Sequence, residues 1–285
     1  MGLPPKPEQV NNLEFVRILT PYVFTHEIVG GRSVLDIGCG FGYGTWLIAS
    51  NGARQVISSD LDKTKASQAH RLCSSFKNVG TLVMDAQRLG FKDHSFQVVT
   101  CFEVIEHTNA PDMLLSEVGR ILKTDGVLLL TSPNRAMRLL PFQRPWNPEH
   151  LREYTLRTLQ KSLHRHFPSF ELLGIYGEPP FYQYYKKMWK QNPFYFYFGF
   201  ITPIIRRFIP SAFRRLVINK LGYAKTKQTP IACPDLLGSV DPVADYENWP
   251  FYVNNISKNC LNFFAICGLD NQIVQRSAKE IRRTT

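Results

Sequence analysis

The chain has 285 residues, 44% of them apolar, and a formal charge of +11 at neutral pH. Such a length buries a large core in one elaborated α/β domain, so no second domain is required. The six cysteines form no CxxC pair and no metal-finger spacing, which excludes a zinc module and reads as free, reduced thiols. The opening residues MGLPPKPEQV hold no apolar signal core, and Lys6 stands where a myristoylation motif needs Ser or Thr, so a cytoplasmic location is expected.

The first predicted strand is the apolar run Val34 to Ile37, followed at once by glycines at every second position, Gly38, Gly40, Gly42 and Gly44. A buried parallel strand that breaks into glycines lets the backbone pass close to a ligand. The order Asp36-x-Gly38-x-Gly40-x-Gly42 departs from the dinucleotide fingerprint GxGxxG, and an acidic residue beside the loop suits a cationic ligand better than a pyrophosphate. The stretch resembles motif I of the class I S-adenosylmethionine (SAM) methyltransferases. The resemblance implies that Gly38, Cys39, Gly40 and Gly42 wrap the amino-acid part of SAM, with Asp36 near its ammonium group.

A second strand, Ala53 to Ser59, ends at Asp60, whose two carboxylate oxygens suit the paired hydroxyls of a ribose. A helix N-cap is the competing role, and Asp62, directly before the helical stretch Lys63 to Cys73, is assigned that role instead. Leu61 beside Asp60 is a further cofactor contact. A third strand, Thr81 to Met84, ends at Asp85 and Ala86; in the family resembled, this position meets the adenine amino group. Strand four is Ser95 to Phe102, the helix Pro111 to Leu122 follows with Lys123 in its last turn, and Gly126 to Thr131 forms strand five. Alternation of this kind predicts a doubly wound, Rossmann-like sheet of seven strands, mostly parallel, with an antiparallel last strand.

The end of strand four carries the reactive groups. Cys101-Phe102-Glu103-Val104-Ile105-Glu106-His107 puts two carboxylates and an imidazole at the sheet edge where ligands of open α/β sheets bind. A helical bend after Phe102 would set Glu103, Glu106 and His107 at i, i+3 and i+4 on one face, a donor set suited to Mg²⁺ or Mn²⁺. After strand five, Thr131-Ser132-Pro133-Asn134 leads to Asn147-Pro148-Glu149-His150-Leu151-Arg152-Glu153-Tyr154-Thr155, ahead of a helix Thr155 to Phe167. His150 is therefore able to return over the same edge.

The segments EVIEH and HLREYT resemble those of small-RNA 3′-terminal 2′-O-methyltransferases, in which the two Glu, the adjoining His and the later His bind a divalent metal. They also resemble ubiquinone-pathway O-methyltransferases and, most fully, bacterial methyltransferases of glycan synthesis. The resemblance spans about residues 30 to 176 and 258 to 270. It implies Glu103, Glu106, His107 and His150 as metal ligands, Phe102 and Glu103 also at the cofactor, and His107 or His150 as the base. The expected activity is metal-assisted O-methylation of a saccharide or lipid-linked glycan. A quinone precursor or an RNA 3′-terminal ribose is the alternative acceptor, and a SAM-binding, membrane-associated scaffold the non-enzyme alternative.

Strand six is expected at Phe170 to Tyr176 and strand seven at Cys260 to Gly268, so residues 1–176 and 258–285 form the methyltransferase core and 177–257 an insertion. Between Arg135 and Lys227 stand seventeen Lys and Arg against four acids. Residues 181–200 hold eleven aromatics interleaved with Lys186, Lys187 and Lys190. The apolar run Phe194 to Ile205 is shorter than the roughly 20 residues that span a bilayer, and short helices are expected from Pro203 to Ala212. An aromatic and basic insertion suits a substrate lid, the anionic inner face of a membrane, an oligomer contact or, less well, single-stranded nucleic acid.

Overall fold

The computed structural model describes residues 7–140, 143–145, 147, 149–190 and 251–283, with side chains from residue 15 onward and backbone alone at 187–190. Five strands are mutually parallel: β1 (Ser33–Ile37), β2 (Gln55–Asp60), β3 (Val79–Val83), β4 (Phe96–Phe102) and β5 (Leu122–Pro133). Three more complete the sheet: β6 (Ser169–Gly177), β7 (Phe251–Asn255) and β8 (Asn262–Gly268), in the order β3-β2-β1-β4-β5-β8-β6-β7. β8 runs antiparallel between β5 and β6, as expected of the last strand.

The sheet has eight strands rather than the seven predicted, because Phe251–Asn255 pairs antiparallel with β6. Its inward residues Phe251 and Val253 are buried, whereas Tyr252 between them is half-buried and Asn254 is exposed, the two-residue alternation of an edge strand with one wet face. These residues fell inside the expected insertion. β5 also begins at Leu122, so Lys123 lies in the strand and not in the preceding helix.

Alternate residues of the central strands feed two cores. Val98, Val127, Leu129, Phe264 and Ile266 enter one, and Val99, Leu128, Leu130, Ala265 and Cys267 the other, as a period of two requires. The first core is covered by α1 (Pro7–Val23), α2 (His26–Val29) and α3 (Tyr43–Ser50). α4 (Lys63–Leu72) follows β2, and Asp62 caps it by accepting from the amides of Thr64 and Lys65. The second core is covered by α5 (Pro111–Ile121) and α7 (Leu156–His164), with the four-residue α6 (Arg135–Arg138) preceding α7. α7 starts from a reciprocal Thr155/Thr158 capping box.

α8 (Pro179–Lys190) takes up the first part of the aromatic segment: Tyr185 is buried against Phe251 at 6.1 Å between ring centroids. α9 (Asn271–Arg283) closes the first core through Val274, Ser277, Ala278 and Ile281, a single stripe at i, i+3, i+4 and i+7. The apolar run Phe194 to Ile205 and the helices expected from Pro203 to Ala212 lie outside the described residues, and the lid, membrane and oligomer readings rest on them. Among the described residues, no helix is long and apolar enough to cross a membrane. Cys39, Cys73, Cys101, Cys260 and Cys267 are buried and free of disulfides.

Candidate active site

Strand order reverses between β1 and β4, and the loops that leave these two strands at their C-terminal ends form the crevice where open α/β sheets bind ligands. On the β1 side the glycine loop is tied to β2: the amides of Gly38 and Cys39 donate to the Ser59 carbonyl at 2.7 and 2.9 Å. The Gly40 amide donates to Asp60 Oδ2 at 2.9 Å, and the Asp62 amide to Asp60 Oδ1 at 2.8 Å. Each carboxylate oxygen of Asp60 thus accepts one backbone N–H, and an ionised carboxylate retains further acceptor capacity for a ribose diol.

Two glycines show different needs. Gly42, at φ 90°, begins α3, and a Cβ there would lie 2.6 Å from the Ala69 backbone of α4. Gly40, at φ 55°, has nothing within 4 Å of the same position, so its missing side chain faces open space. One glycine lets α3 and α4 pack; the other leaves room along the loop.

Asp36 is fully buried on β1 and accepts from three hydroxyls: Thr45 at 2.6 Å, Thr100 at 2.8 Å and Tyr22 at 3.1 Å. Burial pushes its carboxyl up to about 6, against the opposing pull of those hydrogen bonds. Asp36 is thereby fixed below the loop rather than open to the crevice, and its partners Tyr22, Thr45 and Thr100 were not legible as a set. They come from α1, α3 and β4, with no shared local pattern.

At the neighbouring strand ends, Leu61 is 70% exposed. Asp85 is partly buried and accepts from the Gln87 amide at 2.9 Å, with Ala86 beside it. Phe102 closes β4, buried edge-on against Tyr22 at 4.7 Å between centroids. Asp60, Leu61, Asp85 and Ala86 therefore line the tips of adjacent parallel strands, in the order a nucleoside would cross them.

The β4 side differs from expectation. No helical bend follows Phe102: Glu103 takes a left-handed φ of 56°, and residues 105–107 make a turn closed by the His107 amide on the Val104 carbonyl at 2.9 Å. Glu103 is thereby turned away from Glu106 and His107. Its Oε1 accepts from Asn262 at 2.8 Å and Thr131 at 3.2 Å, and its Oε2 pairs with Arg17 of α1 at 3.5 Å. The expected fourth metal ligand lies outside the cluster, held in a network whose members Arg17 and Asn262 the sequence did not single out.

Glu106, His107 and His150 do come together: one ligand atom from each lies within 4.8 Å of the others. The chain returns from α6 so that the amides of Leu151 and Arg152 donate to the Glu106 carbonyl at 2.9 and 3.3 Å. The two imidazoles then meet edge to face, 4.7 Å between centroids. His107 Nδ1 lies 3.0 Å from the Glu149 carbonyl, which only accepts, so that nitrogen carries the proton. His150 Nδ1 lies 3.0 Å from Glu153 Oε1, a carboxylate that also meets Arg138 Nε at 3.5 Å. In the His107 ring Nε2 is thereby left as the lone-pair nitrogen. Glu153 is the site residue that the spacing could have disclosed, three positions after His150 in the same motif.

Glu106 is fully buried, with Oε2 3.4 Å from the Ser132 hydroxyl and Oε1 without a hydrogen-bond partner among the described residues. Burial, with the nearby charge of Glu103, holds its carboxyl well above the usual range. Burial and the adjacent His150 hold His107 below the usual imidazole value.

Residues 35–130 match the family model described as a methyltransferase domain. Over 149 residues the chain is 34% identical to a probable S-adenosylmethionine-dependent methyltransferase of Mycobacterium tuberculosis, covering 52% of this chain and 53% of that protein. It is 29% identical over 150 residues to a ubiquinone biosynthesis O-methyltransferase of Neisseria meningitidis, covering 50% and 59%. The chain spans little more than half the length of these curated relatives. Among solved structures, the YcgJ protein of Bacillus subtilis superposes with a TM-score of 0.53 at 19% identity, covering 88% of this chain and 98% of that one. The [4+2]-cyclase SpnF superposes at 0.50 and 18% identity, covering 89% and 81%. The fold is thus shared with a protein named for another reaction, and reaction type must be argued from the site. The glycine loop, the acid at the end of β2 and the match at residues 35–130 together mark this part of the chain as an S-adenosylmethionine-dependent methyltransferase domain.

Proposed function

We propose that the protein is an O-methyltransferase that joins SAM, lying across the tips of β1, β2 and β3, to a hydroxyl held at the Glu106, His107 and His150 cluster. The carrying observation is the convergence of Glu106, His107 and His150, one ligand atom of each within 4.8 Å of the others, with Glu106 Oε1 buried and without a hydrogen-bond partner among the described residues. A carboxyl and two imidazoles gathered in this way form a donor set that suits a cation, and the contacts of His107 to Glu149 and of His150 to Glu153 are of the kind that orients metal-ligating imidazoles. The open space over Gly40 and the spare acceptor capacity of Asp60 suit SAM equally well.

Glu106 and His150 would hold a divalent Mg²⁺ or Mn²⁺ ion. Such an ion would supply Lewis acidity that favours loss of the acceptor hydroxyl's proton. SAM supplies a methyl group on a sulfonium, ready for in-line attack. The chain's own contribution is orientation and proton transfer. Asp60 fixes the ribose, the backbone of the glycine loop sets the depth of the cofactor, and the turn at 105–107 holds His107 against His150. Alignment of this kind lowers a barrier by several kcal/mol. His107, neutral at pH 7 because its basicity is depressed, accepts the hydroxyl proton at Nε2.

A sugar with adjacent hydroxyls is the acceptor class we favour, since a vicinal pair presents two oxygens to the cluster. The name of the Neisseria relative supports a catechol-like quinone precursor as the second reading, since that pair of oxygens has the same spacing. The test is Mn²⁺ titration of the full chain with SAM binding measured in parallel. Glu106→Gln should abolish Mn²⁺ binding, lower turnover about 100-fold or more and leave SAM affinity unchanged. His107→Ala should lose turnover with little change in Mn²⁺ affinity. Full activity in EDTA would refute the metal assignment, and equal loss of SAM and Mn²⁺ binding in Glu106→Gln would make Glu106 a structural residue.

A further inference from the structure

Beside the segment that carries His150 lies a cleft of about 420 Å³ whose walls include Arg135, Arg144, Arg152, Leu151, Glu153 and Thr155. It adjoins the cluster through the backbone: Leu151 and Arg152 donate their amides to Glu106, and Glu153 receives His150 Nδ1. Three arginines line one small space. Arg135 Nη2 donates to the Gln143 carbonyl at 2.5 Å and Arg152 Nη2 to the Asn109 carbonyl at 3.0 Å. Arg144 is exposed, and none of the three has a carboxylate partner among the described residues. The one acid of the lining, Glu153, has its Oε1 engaged inside the protein by His150 and Arg138.

Arg120, Arg165 and Arg276 are matched by carboxylates, Arg120 with Asp93 and Glu117, Arg165 with Asp112 and Arg276 with Glu280, whereas the arginines of the cleft are gathered in one concavity without such a match among the described residues. Three cations left without counter-charge in one concavity concentrate a positive field there, and the guanidinium fork fits phosphate oxygens in pairs. The volume lies within the range of small-molecule pockets and falls short of an extended strand-binding groove.

We propose that this cleft is a subsite for a phosphate or diphosphate carried by the acceptor, so that the substrate class is a diphosphate-linked saccharide whose sugar reaches the cluster while its phosphates rest on Arg135, Arg144 and Arg152. The inference rests on the methyltransferase reading of the cluster and adds the acceptor's second anchor. A nucleoside diphosphate sugar and a prenyl diphosphate sugar present the same chemistry to these side chains.

Calorimetric titration of the full chain with inorganic pyrophosphate tests it, with EDTA present so that no cation bridges the two. Saturable binding that weakens with added salt is expected, reduced about tenfold or more by Arg144→Gln and by Arg152→Gln. Arg144 is exposed, so its variant should fold, and SAM affinity measured on each variant verifies this. Displacement of pyrophosphate by a uridine diphosphate sugar or by a short-chain prenyl diphosphate sugar supports the proposal and names the carrier. No pyrophosphate binding, binding equal in wild type and both variants, or displacement by a short oligoribonucleotide alone would overturn it. If SAM and Mn²⁺ still bind while pyrophosphate does not, the subsite falls and the methyltransferase reading stands; if SAM fails to bind the wild type, the reading itself falls.

Discussion

The two halves of the crevice treat their polar groups in opposite ways. In the glycine-loop half, Asp36 accepts from three hydroxyls, Asp60 from two amides and Asp85 from Gln87. In the β4 half, Glu106 keeps a buried oxygen without a hydrogen-bond partner among the described residues, and two imidazoles gather beside that carboxyl. A buried polar atom left unsatisfied costs about 1–3 kcal/mol, so the second half is less stable than it would be with a ligand. A preorganised cradle and an incomplete cluster are what a shared cofactor and a particular acceptor respectively require.

The largest expected effect on stability belongs to the cradle. Gly42→Ala would set a Cβ 2.6 Å from the Ala69 backbone at a φ of 90°, so both overpacking and backbone strain oppose it. We expect a loss of about 4 kcal/mol in denaturant-measured stability. A loss below about 1 kcal/mol would show that α4 moves aside freely and that the loop is not rigidly packed.

Asp36 offers a comparison of similar size through pH. Its carboxyl is raised from 3.8 to about 6 by burial, so the folded chain holds a proton there that the unfolded chain releases. The stabilising contribution of the protonated form is full below pH 3.8 and is lost as pH rises through 6, a swing of about 3 kcal/mol. Asp36→Asn removes this titration. The difference in stability between wild type and variant should therefore change between pH 4 and pH 7, and a constant difference would mean that Asp36 does not titrate in that window.

How much of this was legible in the sequence follows the same division. The five parallel strands, the glycine loop, Asp60 at the end of β2 and the Asp62 cap each depend on residues close together in the chain, where apolar runs and turn chemistry speak directly. Glu106, His107 and His150 were also legible as a set, though only by joining two motifs separated by more than forty positions. Glu103 was misread because i, i+3, i+4 spacing predicts a shared face only if a helix forms. A left-handed φ at Glu103 and the amide of Asn262, a residue 159 positions away, decide its direction instead. The edge strand Phe251–Asn255 was missed for the same reason: five residues carry too short an alternation to identify a strand whose partner is β6. Arg17 and Tyr22 had no local signal at all, since α1 acquires its role only by crossing the mouth of the crevice.

The smallest expected effect separates two contributions to the cradle that the structure places in contact. Asp60 accepts from the Gly40 amide and from the Asp62 amide, so it both shapes the loop and offers its remaining acceptor sites to a ribose. Asp60→Ala should weaken SAM binding by about 30-fold, near the 2 kcal/mol of a charge-assisted hydrogen bond. Gly40→Ala leaves the carboxylate in place and adds a methyl group to open space at a φ of 55°, so it should cost about 1 kcal/mol of stability through backbone strain and act on SAM through occupied volume. If the carboxylate binds the ribose, the methyl ether of a 2′-O-methylated SAM analogue should bind the wild type more weakly than SAM and bind Asp60→Ala about as well as SAM does. An analogue penalty that persists undiminished in Asp60→Ala would assign the ribose to another residue and leave Asp60 as the clamp on the glycine loop alone.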